Sequence, residues 1–65
     1  MLKPGDLVSV YLHPHRDLLF LGVFLEIEPY EGTEFYNILT AGGGMKYVPV
    51  KHGKKYEIVV VSKND

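Results

Sequence analysis

Few side chains here have the types and spacing to do chemistry. His13 and His15 stand two residues apart, a spacing that on a strand turns both imidazoles to one side, where zinc or copper could be ligated. A catalytic zinc needs three protein ligands in fixed geometry, and only His52 is left to add, with no cysteine in the chain. The pair reads as part of a solvated loop, and no metal or other cofactor is expected. Gly42-Gly43-Gly44 suggests a phosphate cradle, but such a loop needs Lys-Ser or Lys-Thr opening a helix. Met45-Lys46-Tyr47 reads as the start of a strand instead, which makes the glycines a hairpin turn. Ser9 and Ser62 have no histidine or acid near them in sequence and sit on no nucleophile elbow. Glu26, Glu28, Glu31 and Glu34 could supply paired carboxylates, yet in a hairpin they more simply mark an outer face and a turn. The expectation is a protein that is not an enzyme.

Binding is the chemistry that remains, and two sets of residues suit it. Three phenylalanines and five tyrosines are many for 65 residues. Phe20, Tyr36 and Phe35 are sensibly spent inside, since a tiny barrel gains most from large side chains, whereas by parity Tyr11, Phe24, Tyr30 and Tyr47 fall on outward or loop positions. An outward Phe24 beside Glu26 makes an apolar patch with an acidic rim, suited to a basic segment of a protein partner or to a second copy of the chain. The second set is basic: Lys46, Lys51, Lys54 and Lys55, with His52, run without an acid until Glu57. They could contact phosphates while Tyr47 or Tyr56 stacks on an unpaired base. The net charge of −1 and isoelectric point near 6.3 lie below the basic footprint of a dedicated nucleic-acid domain.

The elements that must position these residues are short and sharply punctuated. Gly5 to Leu12 alternates so that Val8, Val10 and Leu12 share a face, and Pro14 stops the ladder within His13-Pro14-His15-Arg16-Asp17. Leu18 to Ile27 carries a second strand with Val23, Leu25 and Ile27 inward and Phe24, Glu26 and Glu28 outward. Pro29-Tyr30-Glu31-Gly32 has the composition of a reversal, leading into a third strand within Glu34 to Thr40 that should pair antiparallel with Met45 to Val48. Val50 to Lys55 has room for one helical turn before Tyr56 to Ser62, the last strand. Its Ile58-Val59-Val60-Val61 run is apolar on both faces, which argues burial on both sides or pairing with another chain, a homodimer included. No window sustains a 3.6-residue apolar period, so no long helix is expected.

Composition agrees with one small domain over residues 1–65. Hydrophobic residues at 46% and charged residues at 23% are ordinary for a globular chain, and without cysteine it must be held by burial rather than disulfides. The start of the chain lacks a basic segment followed by an apolar run, and Leu18 to Leu25 is short of the roughly 20 residues a membrane-spanning helix needs. The expected location is the cytoplasm, with no membrane contact.

Lys3-Pro4-Gly5-Asp6-Leu7-Val8-Ser9-Val10, Gly22-Val23-Phe24-Leu25 and Met45-Lys46-Tyr47-Val48-Pro49 resemble the KOW and Tudor-like branches of the SH3-like small barrels, over nearly the whole chain. The same order of motifs is similar to small proteins of tailed bacteriophages, which implies a viral accessory origin and the host cytoplasm. Leu18-Leu19-Phe20 stands where a KOW motif has glycine, a departure that counts against inherited nucleic-acid duties. Tudor-like relatives cage methylated cations in aromatic rings, and the resemblance would give that part to Tyr11, Tyr30 and Tyr47.

The reading is thus an all-β, five-stranded SH3-like barrel with short hairpins. It is expected to act as a small non-enzymatic binding module contacting a protein partner through Tyr11, Phe24, Glu26 and Tyr30. The alternative is a nucleic-acid-associated accessory domain using Lys46, Tyr47, Lys51, Lys54 and Lys55.

Overall fold

The computed structural model describes residues 2–52 and 55–64 and folds them into one antiparallel sheet of five strands. These are β1 (Leu7–Leu12), β2 (Asp17–Tyr30), β3 (Thr33–Thr40), β4 (Met45–Pro49) and β5 (Tyr56–Ser62), with a single 3-10 turn at Val50–His52 before β5. The all-β class, the strand count and the one short turn agree with the sequence. Among the described residues no helix is long and apolar enough to cross a membrane.

The strand order is β4-β3-β2-β1-β5, which leaves β4 and β5 as the two edges. Val48, Pro49 and Val50 from one side and Tyr56, Ile58 and Val60 from the other nonetheless line a common cleft of about 350 Å³. The sheet is therefore rolled onto its own inner face, though no backbone ladder joins the two edges among the described residues. Inside the roll Val8, Val10, Phe24, Ile38 and Val48 are buried, with Phe20, Tyr36, Tyr56, Ile58 and Val60 packed around them. Phe24 and Tyr36 meet edge to face, their ring centres 6.0 Å apart. Each such burial stabilises the fold by roughly 1.5–3 kcal/mol.

The turns are set by local chemistry. Thr40 and Gly44 close the β3-β4 hairpin through Thr40 N–H to the Gly44 carbonyl, 2.8 Å, and Gly43 supplies the positive φ, so Gly42-Gly43-Gly44 is the expected turn. The reversal between β2 and β3 is tighter than the sequence suggests. Tyr30 pairs with Thr33 and Pro29 with Glu34, so Pro29 stays in the strand and only Glu31 and Gly32 turn. Both have positive φ, 49° and 79°, the two-residue geometry whose twist matches that of the flanking strands.

Asp6 closes the roll at one end. The backbone N–H groups of Asn64 and Lys3 donate to its carboxylate at 2.7 and 2.9 Å, and the residue is 1% exposed. The Asn64 and Lys3 hydrogen bonds hold its pKa below the ordinary value of 3.8.

Up to Leu25 the alternation in β2 runs opposite to expectation, whereas beyond it Glu26 and Glu28, opposite Asn37 and Phe35, lie on the outward face as expected. Phe24, expected outward, is 3% exposed in the core, while Leu25 and Ile27, expected inward, are 38% and 46% exposed. Two features cause this. Gly22 is the inward residue opposite Val8, and it is a glycine because a Cβ there would sit 2.6 Å from both Ile38 Cγ2 and the Leu39 carbonyl oxygen. The strand thus hides its inward phase at that point. Leu25 is then an extra residue, a bulge between the pairs Phe24 with Ile38 and Glu26 with Asn37, and the phase shifts beyond it.

Candidate functional site

On the outward face, the far half of β2 lies beside the first half of β3, and β3 beside β4. Glu28 is opposite Phe35, and Asn37 lies between Glu26 on β2 and Tyr47 on β4. The Leu25 bulge sets this register, and Tyr30, two residues after Glu28 in β2, shares its face. Glu28, Tyr30, Phe35 and Tyr47 together line an open pocket of about 390 Å³. Tyr30 and Tyr47 are 66% and 58% exposed, so much of each ring is open to solvent at the pocket.

A single carboxylate gives the pocket its polarity. Asn37 donates from Nδ2 to Glu28 Oε1 at 2.8 Å and so fixes the carboxylate relative to the rings. Asn37 is 4% exposed, and its Oδ1 has no hydrogen-bond partner. Glu26, Glu31 and Glu34 are exposed on the same hairpin. Ring faces carry negative potential, so three rings with a carboxylate attract a cation more strongly than a neutral group.

The structure divides the residues singled out from the sequence. Tyr30 and Glu26 belong to this end of the sheet. Tyr47, grouped with the lysines by sequence, lies across β3 from Glu26 and shares the pocket with Glu28. Phe35, expected in the core, lines the pocket instead. Phe24 is the largest correction, because its burial in the core leaves it no surface to offer a partner. Tyr11 sits elsewhere, half-buried under the Arg16 guanidinium, whose carbon is 4.9 Å from the ring centre. Arg16 Nε donates to Glu57 Oε1 at 2.9 Å, and His13 Nε2 lies 3.4 Å from the same oxygen, while His15 is exposed. Tyr11 is thus part of an ionic cluster and does not converge with Tyr30 and Tyr47.

Lys46, Lys51 and Lys55 are exposed, and Lys54 lies outside the described residues. The Lys55 ammonium is 5.6 Å from the centre of the Tyr56 ring, and Tyr56 packs against the core, so that ring is not a free stacking platform. Phe35 and Glu28 were missed as site residues because their place depends on the bulge, although the alternation of Phe35 with Asn37 and their cross-strand partners would have grouped them once the register was known.

Compared with known proteins, the chain matches no protein-family model, no curated protein and no solved structure.

Proposed function

We propose that this protein is a small non-enzymatic binding module of the SH3-like barrel kind, and that it takes a lysine or arginine side chain from a basic segment of a protein partner into the pocket of Tyr30, Phe35, Tyr47 and Glu28. The observation that carries this reading is the convergence of three rings on one carboxylate that Asn37 holds in place. Aromatic faces and a fixed anion favour a cationic head over a phosphate, which the carboxylate would repel. Glu26, Glu31 and Glu34 extend the negative field along the hairpin, steering a basic chain toward the pocket and making its approach sensitive to salt.

Fluorescence anisotropy of lysine- and arginine-rich peptides, set against neutral peptides of equal length, tests this. Basic peptides should bind preferentially, Tyr47→Ala should weaken them by about tenfold or more, as loss of an aromatic anchor does, and Glu28→Gln should flatten the salt dependence. Equal binding of neutral and basic peptides, or a Tyr47→Ala variant that binds as well as the parent, overturns the reading. A single-stranded oligonucleotide run alongside reads out the alternative. Binding that is lost on charge reversal of Lys46, Lys51 and Lys55 and kept in Glu28→Gln would favour nucleic acid.

A further inference from the structure

One polar atom beside the pocket has no partner in the fold. Asn37 is 4% exposed, and its side-chain oxygen Oδ1 meets no hydrogen-bond donor among the described residues. A buried acceptor without a donor opposes folding, so native structures seldom keep one, and each that persists calls for a donor from outside the chain. Its place is set by the sheet. Asn37 is two residues after Phe35 on the outward side of β3, opposite Tyr47 on β4 and Glu26 on β2, and its Nδ2 donates to Glu28 Oε1. With Nδ2 turned toward β2, the oxygen of the same planar amide is turned away from it, to the side on which Tyr47 stands.

The hydrogen-bonding demand of the pocket is therefore one-sided. Asn37 takes up Glu28 Oε1, which leaves Oε2 of the carboxylate and Oδ1 of the amide, two acceptors on different sides of one side chain. Charge alone does not answer both. A quaternary ammonium suits the carboxylate and the rings but brings no N–H. A lysine ammonium brings its donors from a single nitrogen, as a point charge. A guanidinium spreads its N–H donors in one rigid plane whose faces stack on aromatic rings. It can reach two separated acceptors while lying against Tyr47 or Phe35, both of which line the pocket. Because Tyr47 is largely in solvent, a change of its rotamer gives up little contact and opens the way to Oδ1.

We infer that the pocket selects arginine over lysine and over methylated ammonium groups, the guanidinium donating from separate nitrogens to Glu28 Oε2 and Asn37 Oδ1 and stacking on Tyr47. This rests on the pocket being a cation site, and adds the atom by which one cation is told from another. It also runs against the methylated cation that the Tudor-like resemblance implies. A ligand that pairs with the carboxylate alone leaves Oδ1 buried and unpartnered, and a site with such an atom rejects that ligand more strongly than a difference in size would.

Fluorescence anisotropy with peptides of one sequence tests this, the central residue being arginine, lysine, trimethyllysine or norleucine. The arginine peptide should bind at least about tenfold more tightly than the lysine peptide, and trimethyllysine no better than lysine. Lysine or trimethyllysine binding as tightly as arginine, with norleucine weak, overturns the inference and leaves the cation site standing. Norleucine binding as tightly as arginine overturns both. Asn37→Leu removes the oxygen at similar size, and its loss of the Glu28 hydrogen bond affects both cations alike. It should cut the preference for arginine to under about threefold; a folded variant that keeps the full preference overturns the inference. Should Asn37→Leu unfold, the carbon resonance of Asn37 Cγ in the unaltered protein decides. Arginine peptide should shift it and lysine peptide leave it in place, whereas a resonance that arginine does not move shows that water serves Oδ1 and overturns the inference.

Discussion

Toward the Glu31-Gly32 hairpin the outward face presents Glu28, Phe35 and Tyr47 around Asn37; toward Leu7, Leu39 and Met45 the same alternation presents only aliphatic side chains. Both regions are built on the same strands, and both have large apolar side chains in the open. They differ in their polar atoms. At the hairpin end Asn37 fixes a carboxylate, so a ligand meets a charge at a defined place and can be selected by its chemistry. At the other end nothing is fixed but area, and area favours association without choosing a chemically distinct partner. The comparison shows how one β-face can hold an addressed site and an unaddressed one, separated by a single bulge at Leu25.

The most severe way to break the contrast is to remove the support from beneath it. Phe24 pairs across strands with Ile38 and meets Tyr36 edge to face, so Phe24→Ala should cost about 3–5 kcal/mol of folding stability. Denaturant unfolding measures this, and a loss under about 1 kcal/mol would place the ring outside the core. Next in size is a pair of variants, one in each region. Tyr47→Ala should weaken basic peptide by about tenfold or more and Leu21→Lys should leave it bound; a folded Leu21→Lys variant that also loses peptide would show the regions to be one surface.

Acid should loosen the clamp at the far side of the roll. The pKa of Asp6 is lowered in the folded state, so the carboxylate contributes stability that is present above the unfolded value of about 3.8 and lost as pH falls through the folded one. Thermal melts of Asp6→Asn and the parent should therefore differ at neutral pH, the difference shrinking only as pH falls below about 3.8 toward the lowered folded value. The smallest expected effect lies beside the pocket. Glu31 holds a φ of 49° that asparagine adopts at less steric cost, so Glu31→Asn should stabilise the hairpin by about 0.5–1 kcal/mol, read as a higher melting temperature.

The number of strands, their antiparallel pairing through the Gly42-Gly43-Gly44 turn and the brief turn before β5 were legible in the chain, because glycine and proline announce themselves locally. Which way β2 faces was not. The eye takes Val23, Leu25 and Ile27 for an inward set, since the true inward position is Gly22, which shows no side chain, and a bulge then moves the phase. The pocket was unreadable for the same reason: Glu28, Phe35 and Tyr47 come together only in the register the bulge imposes. Tyr30 and Glu26 were recognisable as surface residues because the turn beside them limits their burial. Tyr11 was misgrouped since nothing local shows that Arg16, bent back by its own positive φ of 56°, lies over the ring.

Asp6 binds the backbone of Lys3 and Asn64 at once, and the Asn64 side chain donates to the Pro4 carbonyl at 3.0 Å, so the two ends of the described chain enter and leave at one point. A unit joined to its surroundings through so small a gap can be carried whole in a surface loop of another protein without pulling that loop apart. By the same geometry, a short link between the ends and a new opening at Gly42-Gly43 would give a circular permutant with the same sheet order, the cut falling in an exposed turn where breaks are best tolerated.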